Sequence, residues 1–221
     1  MNFNEIYEKC KEYTITSYER MKRLYEVVVI VNEKSIPGDY IECGVYKGGS
    51  VMNMAYTQLN YSGRAHIHLY DTFEGMTPPT AVDIDCHGKA ASDLMKNSDY
   101  SYYCSFDEVV SRVKTTGYPD EFLHYHKGDV AVTLTSNIPK SISILRLDTD
   151  WYESTKIELD VLYPKLVSGG FLIIDDYGHH MGCKKAVDEY FTKIRVNPIF
   201  EQIDYTGVLH VKNKEENTWA I

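Results

Sequence analysis

The chain has 221 residues and a formal net charge of −9, with 43% hydrophobic and 25% charged residues, an ordinary composition for one soluble domain that buries its own core. The acidic balance argues against a nucleic-acid partner or an anionic membrane surface, since both need clustered Lys and Arg. The cysteines (Cys10, Cys43, Cys86, Cys104, Cys183) are odd in number and form no CxxC, so no disulfide framework or zinc site is expected, and a reducing, cytoplasmic location is.

Residues 1–38 are read as N-terminal helices. Thr16-Ser17-Tyr18-Glu19 is a capping-box pattern that opens one running to about Lys34, whose apolar face could cover a sheet, close an active site or meet a second copy of the chain. Its run Val27 to Val31 is far too short to span a membrane. Asp39-Tyr40-Ile41-Glu42-Cys43 is the first strand, followed by a glycine turn and a helix over residues 50–60. Residues 65–70 form the second strand, ending at Asp71. Residues 74–103 then break the rhythm. This polar stretch holds Pro78-Pro79 and leaves the sheet at a strand's carboxyl end, so it is read as a substrate lid with a short helix near 91–96. Ser105-Phe106-Asp107-Glu108 opens the next helix, which stops near Gly117-Tyr118-Pro119. Strands over 121–126, 142–147 and 170–174 follow, the last two backed by helices over 153–166 and 182–193. Residues 199–203 and 207–211 form a terminal hairpin. Strands alternating with helices, then a hairpin, predict a single α/β domain over residues 1–221. Its sheet is Rossmann-like, doubly wound and mostly parallel, with seven strands and an antiparallel edge strand.

Two strands end in acid. Ile142 to Leu147 runs into Asp148-Thr149-Asp150, and Gly170 to Ile174 runs into Asp175-Asp176. Parallel neighbours open their carboxyl ends on one edge, so Asp148, Asp175 and Asp176 converge there. Three carboxylates repel unless a cation or proton neutralises them, and all-oxygen ligation suits a hard cation such as Mg²⁺.

The turn Glu42-Cys43-Gly44-Val45-Tyr46-Lys47-Gly48-Gly49-Ser50 places glycines between a strand and a helix start, where free amides face a ligand. It is neither GxGxxG nor a phosphate loop. Asp71, ending the next strand, is placed to accept the ribose hydroxyls of an adenosine cofactor. An acid after each of the first two strands, with a glycine turn between, resembles a class I S-adenosylmethionine-dependent methyltransferase. In that family Glu42 would lie near the methionine amino group, Asp71 would hold the ribose, and Gly128-Asp129 would meet the adenine. The cofactor set is thus Glu42, Gly44, Ser50, Asp71, Thr72, Gly128 and Asp129.

The combination of Glu42-Cys43-Gly44-Val45, Asp71-Thr72-Phe73-Glu74-Gly75-Met76, Leu145-Arg146-Leu147-Asp148-Thr149-Asp150-Trp151-Tyr152 and Ile174-Asp175-Asp176-Tyr177-Gly178 is similar to the macrocin O-methyltransferase (TylF/MycF) family, over roughly residues 39–191. The resemblance implies a Mg²⁺-dependent O-methyltransferase that acts on a sugar hydroxyl, often of a glycosylated natural product, with Asp148, Asp175 and Asp176 on the metal.

Methyl transfer needs an activated oxygen nucleophile and a base. In the related catechol-type enzymes the base is a lysine three residues after the first metal Asp; here that position is Trp151. Asp148 is the first candidate base, with His179 and then His180 next. Asp150 is read as ordering its loop. Trp151 and Tyr152 are read as a sugar-stacking pair or as core, and His87 as a lid contact to substrate. The pairs His66/His68 and His124/His126 each share a sheet face and are read as structural, while Tyr100, Tyr102 and Tyr103 crowd the lid end. Rival readings are a catechol or flavonoid O-methyltransferase, a nicotinamide-dependent dehydrogenase and a non-catalytic binding protein of the same fold.

Overall fold

The computed structural model describes residues 1–96 and 102–217, which leaves part of the expected lid, with Tyr100, outside the described residues. Seven strands form one sheet in the order β3-β2-β1-β4-β5-β7-β6. They are β1 Asp39–Cys43, β2 Ile67–Asp71, β3 Leu123–Lys127, β4 Ile142–Leu147, β5 Leu166–Ile174, β6 Glu201–Gln202 and β7 Val208–Val211. Strands β1 to β5 run parallel, and β7 pairs antiparallel with both β5 and β6. The expected hairpin is therefore present, with reversed β7 inside and two-residue β6 at the rim. The chain runs outward from β1 to β3 and returns beside β1 as β4. That reversal opens a crevice at the carboxyl ends of β1 and β4, where ligands bind in such sheets.

One face of the sheet is covered by α1 Phe3–Cys10, α2 Tyr18–Glu33, α3 Gly49–Gln58 and α5 Phe106–Lys114. Helix α2 turns Met21, Leu24, Val27, Val28 and Val31 inward at helical spacing, so its apolar stripe is buried within the chain. Its N-cap is Ser17, which accepts the Arg20 amide, one residue later than the expected capping box. The other face carries α6 Val130–Thr133, α7 Tyr152–Leu162 and α8 Met181–Lys193 over a second apolar cluster. Among the described residues no helix is long and apolar enough to cross a membrane.

The lid segment is docked rather than free-standing. Asp83 is 2% exposed and accepts from the Thr80 amide and from the Tyr152 amide at the start of α7. Asp85 forms a β-bridge with His180, the Met181 amide donates to the Ile84 carbonyl, and α4 Ala91–Leu94 lies where a short helix was expected.

The histidine pairs do share one sheet face. His68 lies opposite His124 and Tyr70 opposite His126 in the β2–β3 register. Burial, then the neighbouring imidazoles, push His126 down from 6.5 to about 4. The unfolded chain takes up a proton near 6.5 that the folded protein refuses until about 4, so this contribution to stability is full above 6.5 and falls as pH drops toward 4. Thermal unfolding should show that acid loss in the wild type and a shallower one in His126→Gln.

Candidate active site

A cleft of about 300 Å³ lies over the β1–β4 switch point, and every cofactor, metal and catalytic residue expected from the sequence lines it. Its floor is the turn after β1. Gly44 has φ +83°, and a Cβ there would overlap the Asp148 carbonyl oxygen, so glycine lets the ends of β1 and β4 close on each other. Asp71 pins the same turn: its Oδ2 accepts the Val45 and Tyr46 amides at 2.6 and 3.2 Å, and its Oδ1 accepts the Phe73 amide at 2.7 Å. The acid read as a ribose ligand thus also builds the loop around it. Asp129 caps α6 through the Ala131 amide at 2.8 Å, and the Gly128 amide donates to the Asp71 carbonyl.

The carboxylate ligand atoms of Asp148, Asp175 and Asp176 fall within 4.8 Å of one another. Their first neutralising charge comes from the chain itself. Arg146, 1% exposed near the carboxyl end of β4, sits opposite Glu42 in the strand register. Its Nη1 donates to Glu42 Oε1 at 2.5 Å and Asp148 Oδ2 at 2.7 Å, and its Nη2 to Asp175 Oδ1 at 2.5 Å and Thr16 Oγ1 at 3.1 Å. Alternation along β4 and β5 puts Arg146, Asp148 and Asp175 on one face. Arg20 of α2 pairs with Asp175 Oδ2 and, at 2.8 Å, with Asp204 Oδ2 in the hairpin turn.

Two guanidiniums do not balance the acids gathered here. Burial, with neighbouring carboxylates behind it, raises Glu42 to about 8 and Asp175 to about 6 despite Arg146, and also lifts Asp148 and Asp176. Asp150, at φ +64°, places its carboxyl beside Asp176 and 3.7 Å from His180 Nε2; burial and Asp176 hold its pKa well above the usual range. Asp150 therefore joins the carboxylate cluster instead of ordering its loop through backbone amides. Asp176 Oδ2 and Glu42 Oε2 are buried with no hydrogen-bond partner. A hard cation fits this all-oxygen, over-acidic donor set.

The profile of the Macrocin-O-methyltransferase (TylF) family matches residues 9–212. The chain belongs to the macrocin O-methyltransferase family. It is 30% identical over 197 residues to the 8-demethyl-8-(2,3-dimethoxy-alpha-L-rhamnosyl)-tetracenomycin-C 4'-O-methyltransferase of Streptomyces olivaceus, covering 89% of this chain and 74% of that one. The same identity and coverage relate it to the demethyldecarbamoylnovobiocin O-methyltransferase of Streptomyces niveus. The O-methyltransferase NovP superposes with a TM-score of 0.79 at 27% identity, over 91% of this chain and 83% of NovP. The protein is thus an S-adenosylmethionine-dependent O-methyltransferase, and the dehydrogenase and non-catalytic readings fall.

In this family member the cleft wall includes residues that sequence reading did not single out. Tyr13, Thr14, Ile15, Thr16 and Arg20 reach it from the N-terminal segment, and Tyr205 and Thr206 from the hairpin turn; Tyr102, expected at the lid end, lines it as well. Arg146, which holds the acids from beneath without lining the cleft, did carry a signal, as a charge inside an apolar run that reads as a fully buried strand. His179 lines the cleft, with Nδ1 3.6 Å from Cys86 Sγ, whereas His87 does not. Trp151 and Tyr152 lie outside the lining. Trp151 is 2% exposed with Nε1 donating to the Thr77 carbonyl, and the Tyr152 hydroxyl donates to Glu189, so both serve packing and lid docking.

Proposed function

We propose that the enzyme transfers a methyl group from S-adenosylmethionine to a hydroxyl of a sugar or glycosylated small molecule, with Mg²⁺ held by Asp148, Asp175 and Asp176. The observation that carries the reading is a surplus of buried carboxylates at the switch point, with Asp176 Oδ2 unpartnered after both arginines are counted. The acceptor class rests on the named acceptor of the Streptomyces olivaceus relative, a rhamnosyl compound. The missing catechol-type lysine, replaced by buried Trp151, points the same way.

Glu42 Oε2, buried and without a hydrogen-bond partner, would receive the cofactor's methionine ammonium, while Gly44, Ser50 and Thr72 shape the wall beside it. Asp71, Gly128 and Asp129 would take the ribose and adenine. A cation, when bound, would lower the pKa of the acceptor hydroxyl and neutralise the carboxylates around it. Asp148 keeps one oxygen outside its ion pair with Arg146, and with Asp150 it supplies a carboxyl whose raised pKa suits a proton acceptor. His179, on the same wall, is the alternative base.

Calorimetry separates the two halves of the site. S-adenosylhomocysteine should bind the wild type, and more than tenfold more weakly (about 1.4 kcal/mol or more) Asp71→Asn, which keeps the side chain's shape but loses its charge. Mg²⁺ binding should be lost in Asp176→Asn with cofactor binding kept. No cofactor binding by folded wild type would overturn the site assignment. Unchanged Mg²⁺ binding by Asp176→Asn would overturn the metal assignment alone.

A further inference from the structure

The turn after β5 brings a nitrogen donor to the carboxylates of the cleft. The His180 amide donates to the Asp176 carbonyl at 2.9 Å, a turn that folds the His180 ring back toward the acids. His180 is 5% exposed, and its ring packs edge-on against Trp151 with centroids 5.3 Å apart. Its Nε2 stands 3.7 Å from Asp150 Oδ2, and its Nδ1 is buried with no hydrogen-bond partner. Asp176 is 9% exposed, and its Oδ2 is likewise unpartnered. Asp150 reaches the group from a left-handed backbone, φ +64°, which aspartate tolerates better than most side chains. One ligand atom from each of Asp150, Asp176 and His180 falls within 4.8 Å of the other two.

We propose that Asp150, Asp176 and His180 hold a second divalent cation, of the Mn²⁺ or Zn²⁺ class, beside the Mg²⁺ proposed for Asp148, Asp175 and Asp176, with Asp176 shared between the two. The arginines leave this seat open. Both oxygens of Asp175 and one of Asp148 already face guanidinium nitrogens, whereas among the described residues neither Asp150 nor Asp176 pairs with a lysine or arginine. The 3.7 Å between His180 Nε2 and Asp150 Oδ2 is too long for a hydrogen bond. It fits an ion between them, since two ligands about 2.0–2.2 Å from one ion stand roughly 3–3.8 Å apart at angles of roughly 90–120°. Oxygen ligands alone suit Mg²⁺, and an imidazole nitrogen shifts the preference toward a transition ion. Paired metal sites hold their ions about 3.5–4 Å apart, a spacing that one shared carboxylate spans. Each of the three residues gives one ligand atom, so the second oxygen of Asp150 stays free to accept a proton, and water fills the remaining positions.

The test is calorimetric titration of Mn²⁺ into wild type, His180→Phe and Asp148→Asn. Mn²⁺ takes both donor types and does not seek the exposed thiol of Cys86. The wild type should bind two ions, and each variant one. Excess Mg²⁺ should displace the ion left in His180→Phe and not the one left in Asp148→Asn. The count of two rests on the Mg²⁺ site proposed above: a wild type that binds one ion, lost in His180→Phe and kept in Asp148→Asn, would sink that site and uphold this one. Mn²⁺ binding by His180→Phe equal to that of the wild type, or none by the wild type, would overturn the second site. Ring-nitrogen resonances of unmodified, Mg²⁺-loaded wild type keep the test independent of how the variants fold. Zn²⁺ should shift those of His180, as direct ligation requires, and His180 resonances unmoved at Zn²⁺ saturation would overturn the proposal.

Discussion

Arg146→Met should destabilise the folded protein by about 3–5 kcal/mol at neutral pH, as removing one partner of a buried ion cluster does. Arg146 is fully buried, and its two terminal nitrogens serve Glu42, Asp148 and Asp175. Methionine fills much of the volume but leaves the buried Glu42 and Asp175 and the partly buried Asp148 without their shared cation. The loss should depend on pH in a definite direction. These carboxyls already have raised values in the wild type, about 8 for Glu42 and about 6 for Asp175, and they rise further without the guanidinium. As pH falls they protonate in the folded variant and stop repelling, and the wild type loses the attraction that Arg146 supplied. The gap between variant and wild type should therefore be widest above about pH 8 and narrow toward roughly pH 5. Arg146→Lys should recover only part of the loss, because one ammonium cannot fork across three acceptors. Denaturant unfolding at the two pH values checks this, and a gap that stays constant would contradict it.

Gly44→Ala should cost roughly 4 kcal/mol or more, in the range reserved for severe core disruption, and should abolish cofactor binding. The new Cβ would collide with the Asp148 carbonyl and stand 2.5 Å from its carbon, at a φ of +83° that disfavours any side chain. The Asp148 amide donates to the Cys43 carbonyl at 2.8 Å, so relief requires prising apart the paired ends of β1 and β4. That movement displaces Asp148 itself. Gly48→Ala is the control. It also sits at positive φ, +91°, but its Cβ would meet only the methyls of Val113 and Val109 at 3.4 and 3.5 Å. Backbone strain alone should cost it about 1–2 kcal/mol. Equal losses of melting temperature in the two variants would show that turn conformation, not the β1–β4 approach, sets the role of Gly44.

The strand frame was legible because most of the parallel strands are short, largely apolar runs that lead into an acid or a glycine turn. Asp39–Cys43 and Ile142–Leu147 are found where the pattern placed them. The convergence of Asp148, Asp175 and Asp176 followed from that frame alone. How their charge is balanced did not. Repulsion among carboxylates was read as a demand for a metal or proton, yet Arg146 answers part of it from within the strand, and Arg20 does so from 155 residues away in sequence. Such long-range pairing leaves no local periodicity to read. The N-terminal wall of the cleft was hidden for the same reason: Thr16 reaches Arg146 across 130 residues. In the lid, composition announced a functional excursion, but the docking of Asp83 onto the first amide of α7 depends on the shape of the α7–α8 corner. Gly182 is part of that shape, since a Cβ there would overlap Asp83 Oδ1.

The most direct measurement is transfer of a labelled methyl group from S-adenosylmethionine to a rhamnosyl glycoside and, in parallel, to a catechol, read by mass spectrometry with Mg²⁺ and after chelation. The expected result is one methyl group added on the sugar, stopped by the chelator and restored by Mg²⁺. Methylation of the catechol alone, or sugar methylation indifferent to the chelator, would contradict it.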